Sequence, residues 1–363
     1  MQSKITQMQA KRITNSFTRT LLDWFQTYGR ELPWRQTCDP YAIWLSEIIL
    51  QQTQVKQGWD YWQRFMRRWP TVEDLAAATE DEVLREWQGL GYYSRARNLH
   101  VAARQIVAMG RFPNTLDEIR QLKGVGDYTA AAIGSIAFSL PAAVVDGNVY
   151  RVLARHFDIA TPINTTEGKK TFAALAQSLM PTPSDNGHEN ICGLYNQAIM
   201  DFGAIQCTPQ SPKCIVCPLQ ESCEALRTGK TDTLPVKEKK LKIKERHLIY
   251  IYVRCQGQTA IRRRGEGDIW QGLWEPVLME DGRRKMEEGR GKMEEGLRCV
   301  AKGVKHVLTH QVLTADFYLW ETATKPELPE DYIWIKEEDI DNYGIPRLVD
   351  ILLNKLHSTV PSV

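Results

Sequence analysis

The chain has 363 residues, 43% of them hydrophobic, with 46 Lys and Arg against 44 Asp and Glu for a formal net charge of +2. That is ordinary globular material, long enough for two domains; no apolar run reaches the length of about 18 residues that a membrane helix needs, and no signal-type apolar stretch opens the chain, so a cytoplasmic protein is expected. A nearly neutral balance makes no general case for nucleic acid, and any such case must come from local features.

From residue 13 to 227 the apolar spacing is helical, with amphipathic runs such as Phe17–Tyr28 and Glu82–Gln88 and punctuation at Pro33, Pro70, Gly89, Gly91, Pro113, Gly124, Gly126 and Pro141. Nearly every position from Tyr41 to Leu50 is apolar, which predicts a helix buried on most of its circumference. Glu47 lies in it, on a face with Ile43, Trp44, Leu50 and Gln51. A carboxylate deprived of water there is raised in pKa and stays protonated near neutrality, the state a general acid needs. The plainer alternative is a Glu that leaves the core along a thin polar strip beside Ser46.

LKGVGDYTAAAIGSIA (122–137) places Gly124 and Gly126 around one apolar residue between two helices. Such a hairpin can offer backbone N–H groups to a phosphate without any cation, although an ordinary helix–helix turn has the same look. Arg95, Arg97 and Arg151 are candidates for added charge, or are simply solvated. In AAVVDGNVYRVLARHF an apolar segment ends at Asp146 and a helix begins near Asn148, so the carboxylate meets free N–H groups and the positive end of the helix dipole. That predicts an ionised Asp, and a plain N-cap would look the same. Together with Glu47 it makes a pair with one carboxylate pushed up and one held down, suited to cleaving a glycosidic bond through an oxocarbenium-like state.

Cys207, Cys214, Cys217 and Cys223 follow at the spacing C-x6-C-x2-C-x5-C. Four thiols so close point to metal ligands for zinc or a [4Fe–4S] cubane, the alternative being disulfides, which need an oxidising compartment that the rest of the chain does not suggest; a single C-x2-C knuckle with wide outer gaps favours the cubane and leaves zinc open. Cys38, Cys192, Cys255 and Cys299 are scattered and read as reduced packing residues. TDTLPVKEKKLKIKER (231–246) reads as a basic solvated linker. Beyond it HLIYIYVRC (247–255), HVLTHQVLTADFYLW (306–320) and DYIWIK (331–336) have strand character and PRLVDILLNKL has helix spacing, predicting a small α+β domain. KMEEG at 285–289 and 292–296 reads as an exposed loop with no chemistry.

In order, LPWR (32–35), DPYAIWLSEIILQQTQV (39–55), GLGYYSRARNL (89–99), GVGDYTAAAI (124–133), VVDGNVYRVLAR (144–155), NQAIMDFGAIQC (196–207) and the cysteine tetrad resemble the MutY-type adenine DNA glycosylases of the helix–hairpin–helix superfamily, which includes endonuclease III. The resemblance implies a multi-domain protein: an all-α glycosylase domain over 1–230 with a [4Fe–4S] loop at 207–223, the linker 231–246, and a Nudix-like α+β domain over 247–363 that reads oxidised guanine. It also implies a monomer that excises adenine mispaired with 8-oxoguanine or guanine in duplex DNA, located in a bacterial-type cytoplasm on the nucleoid.

On matching positions it implies that Glu47 protonates the flipped adenine at N7 and that Asp146, fixed by Asn148, stabilises the oxocarbenium ion or forms a covalent adduct with the sugar. Tyr128 stands where bifunctional relatives carry the Schiff-base lysine, which argues against strand cleavage. Arg35 and Asp201 would line the adenine pocket, Gln52 and Tyr92 would fill the gap left by the base, and Thr53 and Leu90 would lie beside the opposite base. Gly124, Gly126 and Lys123 would meet the DNA backbone, Lys123 where relatives often have Pro. Leu308-Thr309-His310 replaces a Phe-Ser-His loop, keeping the hydroxyl and imidazole of Thr309 and His310 and losing the ring. The Nudix hydrolase box is absent, so pyrophosphatase activity is not implied. A bifunctional glycosylase/lyase and a non-catalytic iron–sulfur DNA-binding protein remain the alternatives.

Overall fold

The computed structural model describes residues 16–181, 190–238, 244–280, 296–308 and 311–358. Contacts divide the chain at 76/77, 100/101 and 239/240 into two compact units.

The first unit is helical. It begins with α1 (16–28), α2 (Pro40–Leu50), α3 (Val55–Arg68) and α4 (Val72–Ala77). The start of α2 is set locally: Asp39 accepts from the amides of Tyr41 and Ala42, and Pro40 fills the first helical position, where no N–H is needed. Every residue from Tyr41 to Ile49 is buried. Ser46 is 1% exposed and its hydroxyl donates to the Ile43 carbonyl at 2.7 Å, so no polar strip leads Glu47 outward.

After α5 (Glu80–Glu86) and α6 (Ser94–Met109), α7 (Leu116–Arg120) and α8 (Asp127–Phe138) form the expected hairpin. Gly124 turns it at φ 79°, a conformation that favours glycine. Then come α9 (Gly147–His156), α10 (Thr166–Ser178), α11 (Ile191–Asp201), a π-turn at Phe202–Gln206, two short 3-10 turns and α12 (Glu224–Arg227). Phe17, Leu21, Leu153, Phe172, Tyr195 and Phe202 centre the core. The segment read as a solvated linker is docked in its first half: Leu234 is 4% exposed, Val236 accepts from the amide of Ile163 at 3.0 Å and Glu238 binds Asn164.

In the second unit β1 (Lys244–Cys255), β2 (Gln258–Arg263), β3 (Trp274–Glu275), β5 (Leu297–Val307) and β6 (Gln311–Glu321) form a sheet in the order β3-β2-β1-β6-β5, with β4 (Val277–Glu280) on β1 and β7 (Tyr332–Lys336) on β2. The 306–320 run is therefore the end of one strand and most of the next, antiparallel one. β1 and β6 are parallel along their whole length. Leu313, Ala315, Phe317 and Leu319 alternate onto the face that α13 (Arg347–Ser358) covers with Leu348 and Leu352. Residues 77–100 pack on this sheet: Arg263 pairs with Glu80 at 2.7 Å and Tyr93 donates to the Ile345 carbonyl at 3.4 Å. Cys192 and Cys255 are buried as packing residues, whereas Cys38 and Cys299 are exposed and do not pack. The KMEEG repeats lie outside the described residues, save the last glycine.

Candidate active site

Helix α8 packs on α2 and on α11, and α11 packs on α9. This brings three sequence-distant groups to one place. Tyr128, in the first turn of α8, donates its hydroxyl to Oε2 of Glu47 at 3.2 Å and lies 3.4 Å from Sδ of Met200 on α11. Burial pushes the Glu47 carboxyl up to about 7; the Tyr128 hydrogen bond opposes this, the nearby Asp146 charge adds to it and Arg35 opposes it. Burial and the two carboxylates hold the Tyr128 phenol well above its ordinary range, so it remains a donor. Trp34, Arg35, Glu47, Gln197 and Met200 line a cavity of about 20 Å³. That is room for a water, not a purine, so a base entering beside Glu47 has to widen it.

Asp146 caps α9, accepting from the amides of Asn148 at 2.9 Å and Val149 at 2.8 Å, while Nδ2 of Asn148 donates to its other oxygen at 2.9 Å. The expectation that this carboxyl is held down is not met: burial raises it, against the hydrogen bonds and the Arg151 charge. Both carboxyls therefore move up. What separates them is their partners, since Glu47 has one phenol where Asp146 has three N–H donors.

Arg35 grips Asp201 with two parallel bonds of 2.8 Å, and Arg30 binds the same carboxylate through its amide at 2.9 Å and Nε at 3.0 Å. Burial would raise Asp201, but the two arginines prevail and hold it at about 2. Asp201 is fully buried, and its oxygens are committed to orienting Arg35, which itself faces the cavity.

The other expected positions fall on surfaces. Gln52 and Tyr92 are exposed, with left-handed φ of 56° and 48°; non-glycine residues hold that conformation at a cost, which concentrates at functional places. Thr53 is partly exposed, Leu90 is buried, and Lys123, Gly124 and Gly126 are exposed. The Lys123 amide is already bonded to Oε1 of Gln105 at 2.7 Å, which leaves its side chain for an anion. Thr309 and His310 lie outside the described residues.

The three arginines expected either to add charge or to be solvated face inward. Arg95 stacks over Trp87 and Tyr92 and Arg97 binds the Gln271 carbonyl. Arg151, 8% exposed, donates to Oδ1 of Asn148 at 2.8 Å, to the Gly203 carbonyl at 2.5 Å and to the Cys207 carbonyl at 2.7 Å. One guanidinium thus ties the residue that steadies Asp146 to the cysteine loop. Gly203 touches Asn148 so closely that a Cβ there would sit 2.6 Å from its Cβ.

Cys207, Cys214, Cys217 and Cys223 line one cavity together with Arg155, Gln206 and Lys213. Among the described residues no three His, Cys, Asp or Glu side chains converge on a single metal ion, yet all four thiols share this wall. Burial and the other cysteines' charges raise the Cys217 thiol to about 11, so a bound cationic group is needed to hold the set as thiolates. Arg155, 2% exposed, points Nη1 at Sγ of Cys207 at 3.4 Å and binds the carbonyls of Thr208 at 2.7 Å, Pro209 at 3.0 Å and Leu234 at 3.1 Å. A multi-thiolate group beside a buried guanidinium fits these residues. Sequence reasoning missed Arg30, Arg155 and the inward role of Arg151; the available signal was two arginines four apart in an otherwise apolar helix, directly ahead of the cysteine loop.

Residues 45–179 match the HhH-GPD superfamily of base excision DNA repair proteins, 207–223 the iron–sulfur binding domain of endonuclease III, and 249–355 the NUDIX domain. These define the class: a helix–hairpin–helix base excision repair protein with a [4Fe–4S] cluster and a Nudix-like second domain. The adenine DNA glycosylase of Buchnera aphidicola (subsp. Baizongia pistaciae) is 36% identical over 267 residues, covering 71% of this chain and 72% of that protein. That of Rattus norvegicus is 43% identical over 234 residues, 61% of this chain and 44% of the relative, so the match spans less than half of the rat protein. The chain belongs to the adenine DNA glycosylase family. Among solved structures, a thermostable thymine-DNA glycosylase is 32% identical with TM-score 0.54 over 60% of this chain and 99% of that one. A trapped endonuclease III–DNA covalent intermediate, 22% identical with TM-score 0.50 over 61% and 97%, speaks to the fold alone.

Proposed function

We propose that the protein is a monomeric DNA glycosylase that hydrolyses the N-glycosidic bond of adenine mispaired with 8-oxoguanine or guanine in duplex DNA. The observation that carries this reading is the buried Glu47, raised to about 7 and held by Tyr128 within reach of the Asp146 charge. Glu47 gives its proton to N7 of the flipped adenine. The C1′–N9 bond then breaks with its electron pair leaving on the base, and the cation at C1′ faces the desolvated Asp146 carboxylate, which stabilises it more than a hydrated one would. Water adds at C1′ and its proton returns to Glu47. Asn148 fixes Asp146, and Arg35, oriented by Asp201, contacts the base.

Tyr128 offers no amine for a Schiff base, so the abasic strand stays intact. The cluster, when bound, supplies no electron to this redox-neutral reaction; it fixes the loop that presents Lys213, whose backbone Gln206 clamps on both sides. Lys123, Gly124 and Gly126 meet phosphate, Gln52 and Tyr92 fill the gap left by the adenine, and Thr53, Leu90, Thr309 and His310 face the opposite base.

The likeness to a thymine-DNA glycosylase gives the competing reading. Base release from duplexes holding A opposite 8-oxoguanine, A opposite G and T opposite G, with and without alkali, separates the two. Adenine release with strand breaks only after alkali is expected. Release of thymine alone, or nicking without alkali at the rate of base loss, would refute the reading.

A further inference from the structure

Tyr128 carries one hydroxyl proton and faces two acceptors. Its oxygen lies 3.2 Å from Oε2 of Glu47 and 3.4 Å from Sδ of Met200 on α11. A phenol has a single O–H to donate and an oxygen that can accept, so it cannot donate to both neighbours at once. The sulfur of a thioether only accepts, and weakly; a carboxyl group accepts when ionised and donates when protonated. The direction of these bonds is therefore set by Glu47. With the carboxylate ionised, the phenol donates to it. With Glu47 protonated, the acid O–H points back at the phenol oxygen across the same 3.2 Å, and the phenol proton has to go elsewhere. Among the described residues the acceptor placed to take it is Sδ of Met200.

Both arrangements are populated near neutrality, because Glu47 titrates at about 7, while desolvation keeps the phenol itself protonated throughout. The charges around the pair are fixed by other bonds. Asp146 acts on Glu47 from the cap of α9, and Arg35 acts on it from the 3-10 turn Pro33–Arg35. Asp201 on α11 is held by Arg35 and Arg30, and α3 turns the indole of Trp62 onto the Ala42 carbonyl of α2 at 2.9 Å. Met200 stands in the wall of the same cavity as Glu47 and carries no charge of its own. Removing its sulfur therefore leaves every one of these charges in place.

We propose that Met200 is a positioning residue for the acid: its sulfur accepts the Tyr128 proton whenever Glu47 carries one, so the phenol can turn from donor to acceptor without leaving the carboxyl. This deepens the functional reading above and rests on it. When the Glu47 O–H bond breaks and N7–H forms on the base, the phenol O–H swings from sulfur back to the new carboxylate. No proton is gained or lost in that turn. The sulfur keeps the neutral acid in register before the reaction, and the phenol steadies its anion afterwards.

Two measurements test this. The Glu47 carboxyl is titrated by carboxyl-carbon NMR in the DNA-free protein, its signal identified by its loss in Glu47→Gln, and single-turnover adenine release is followed against pH. Met200→Leu has a similar volume and should move the carboxyl midpoint to lower pH by about half a unit to one unit, the scale of one net hydrogen bond. The alkaline limb of base release should move the same way, since the rate falls as the acid ionises. In a Tyr128→Phe background no phenol proton needs an acceptor, so adding Met200→Leu should move neither. Should Met200→Leu fail to fold, Met200→Ile is read in its place. An unmoved midpoint, or an equal shift with and without the phenol, overturns the proposal and leaves Met200 a packing residue. The NMR titration needs no turnover, so if the unaltered protein releases no adenine it is the functional reading that fails, and the role of the sulfur is still decided.

Discussion

Tyr128 donates its hydroxyl to Glu47 across 81 residues of sequence, and this bond joins the helix that begins the hairpin's second arm to the helix that carries the acid. With the hairpin on DNA as proposed, a shift of α8 would be felt at the carboxyl that the phenol orients.

Glu47→Gln removes the proton donor and should lower base release by at least about 100-fold, the usual contribution of general acid catalysis, with duplex affinity retained. Stability should move the other way, and only at high pH. The folded carboxyl titrates near 7 against an ordinary 4.5, so its neutral form is favoured by folding. That contribution is fully present below about 4.5 and is lost as pH rises through 7, a difference of about 3 kcal/mol. The Gln variant should therefore melt with the parent at acid pH and several degrees above it at pH 8. A pH-independent offset between the two melting curves would contradict the burial account.

Asp146→Asn should separate capping from catalysis. Asn caps a helix about as well as Asp, so melting changes little, while Asp146→Ala gives up about 1 kcal/mol. Both should lose base release to a similar extent, read in single-turnover assays at fixed pH. Retained activity in the Asn variant would show that the charge is not what acts.

Gly203→Ala places a Cβ 2.6 Å from Cβ of Asn148 and 2.9 Å from its carbonyl oxygen, and backbone cannot yield cheaply there. A loss of about 1–3 kcal/mol is expected from overpacking, together with slower base release, because Asn148 can no longer hold Asp146 at 2.9 Å. Denaturant melts paired with single-turnover rates check both.

Arg155→Ala strips donors from three carbonyls and from Cys207 Sγ. Each buried acceptor left bare costs about 1–3 kcal/mol, so the variant should lose iron on purification and melt far below the parent. Arg155→Lys should recover part of both, since one ammonium cannot reach all four acceptors. Iron per chain and melting temperature are the measurements.

The helical first half and the mixed second half were legible because their apolar periods differ, and α2 in particular announced itself through Asp39, Pro40 and an unbroken apolar run. The cysteine tetrad and the hairpin glycines were readable as local spacing. What the sequence hid were tertiary partners. The state of Asp146 depends on burial by segments far along the chain, which its own N-cap motif does not reveal. The inward role of Arg151 and any role for Arg155 went unread because their distant acceptors are carbonyls between 203 and 234, and carbonyls carry no sequence signature. The packing of 77–100 on the C-terminal sheet was invisible for the same reason: Tyr93 and Glu80 meet residues more than 170 positions away.

The docking of Leu234 beneath Arg155 bears on where the chain can be cut. An excised helical domain ending at residue 230 would retain all four cysteines of the tetrad and both carboxyls, yet it would delete the Leu234 carbonyl that Nε of Arg155 holds at 3.1 Å and uncover the apolar seat of that leucine. Such a fragment should assemble its cluster poorly for want of a peptide strut that contains no ligand at all. One extended past Glu238 keeps the strut and should not.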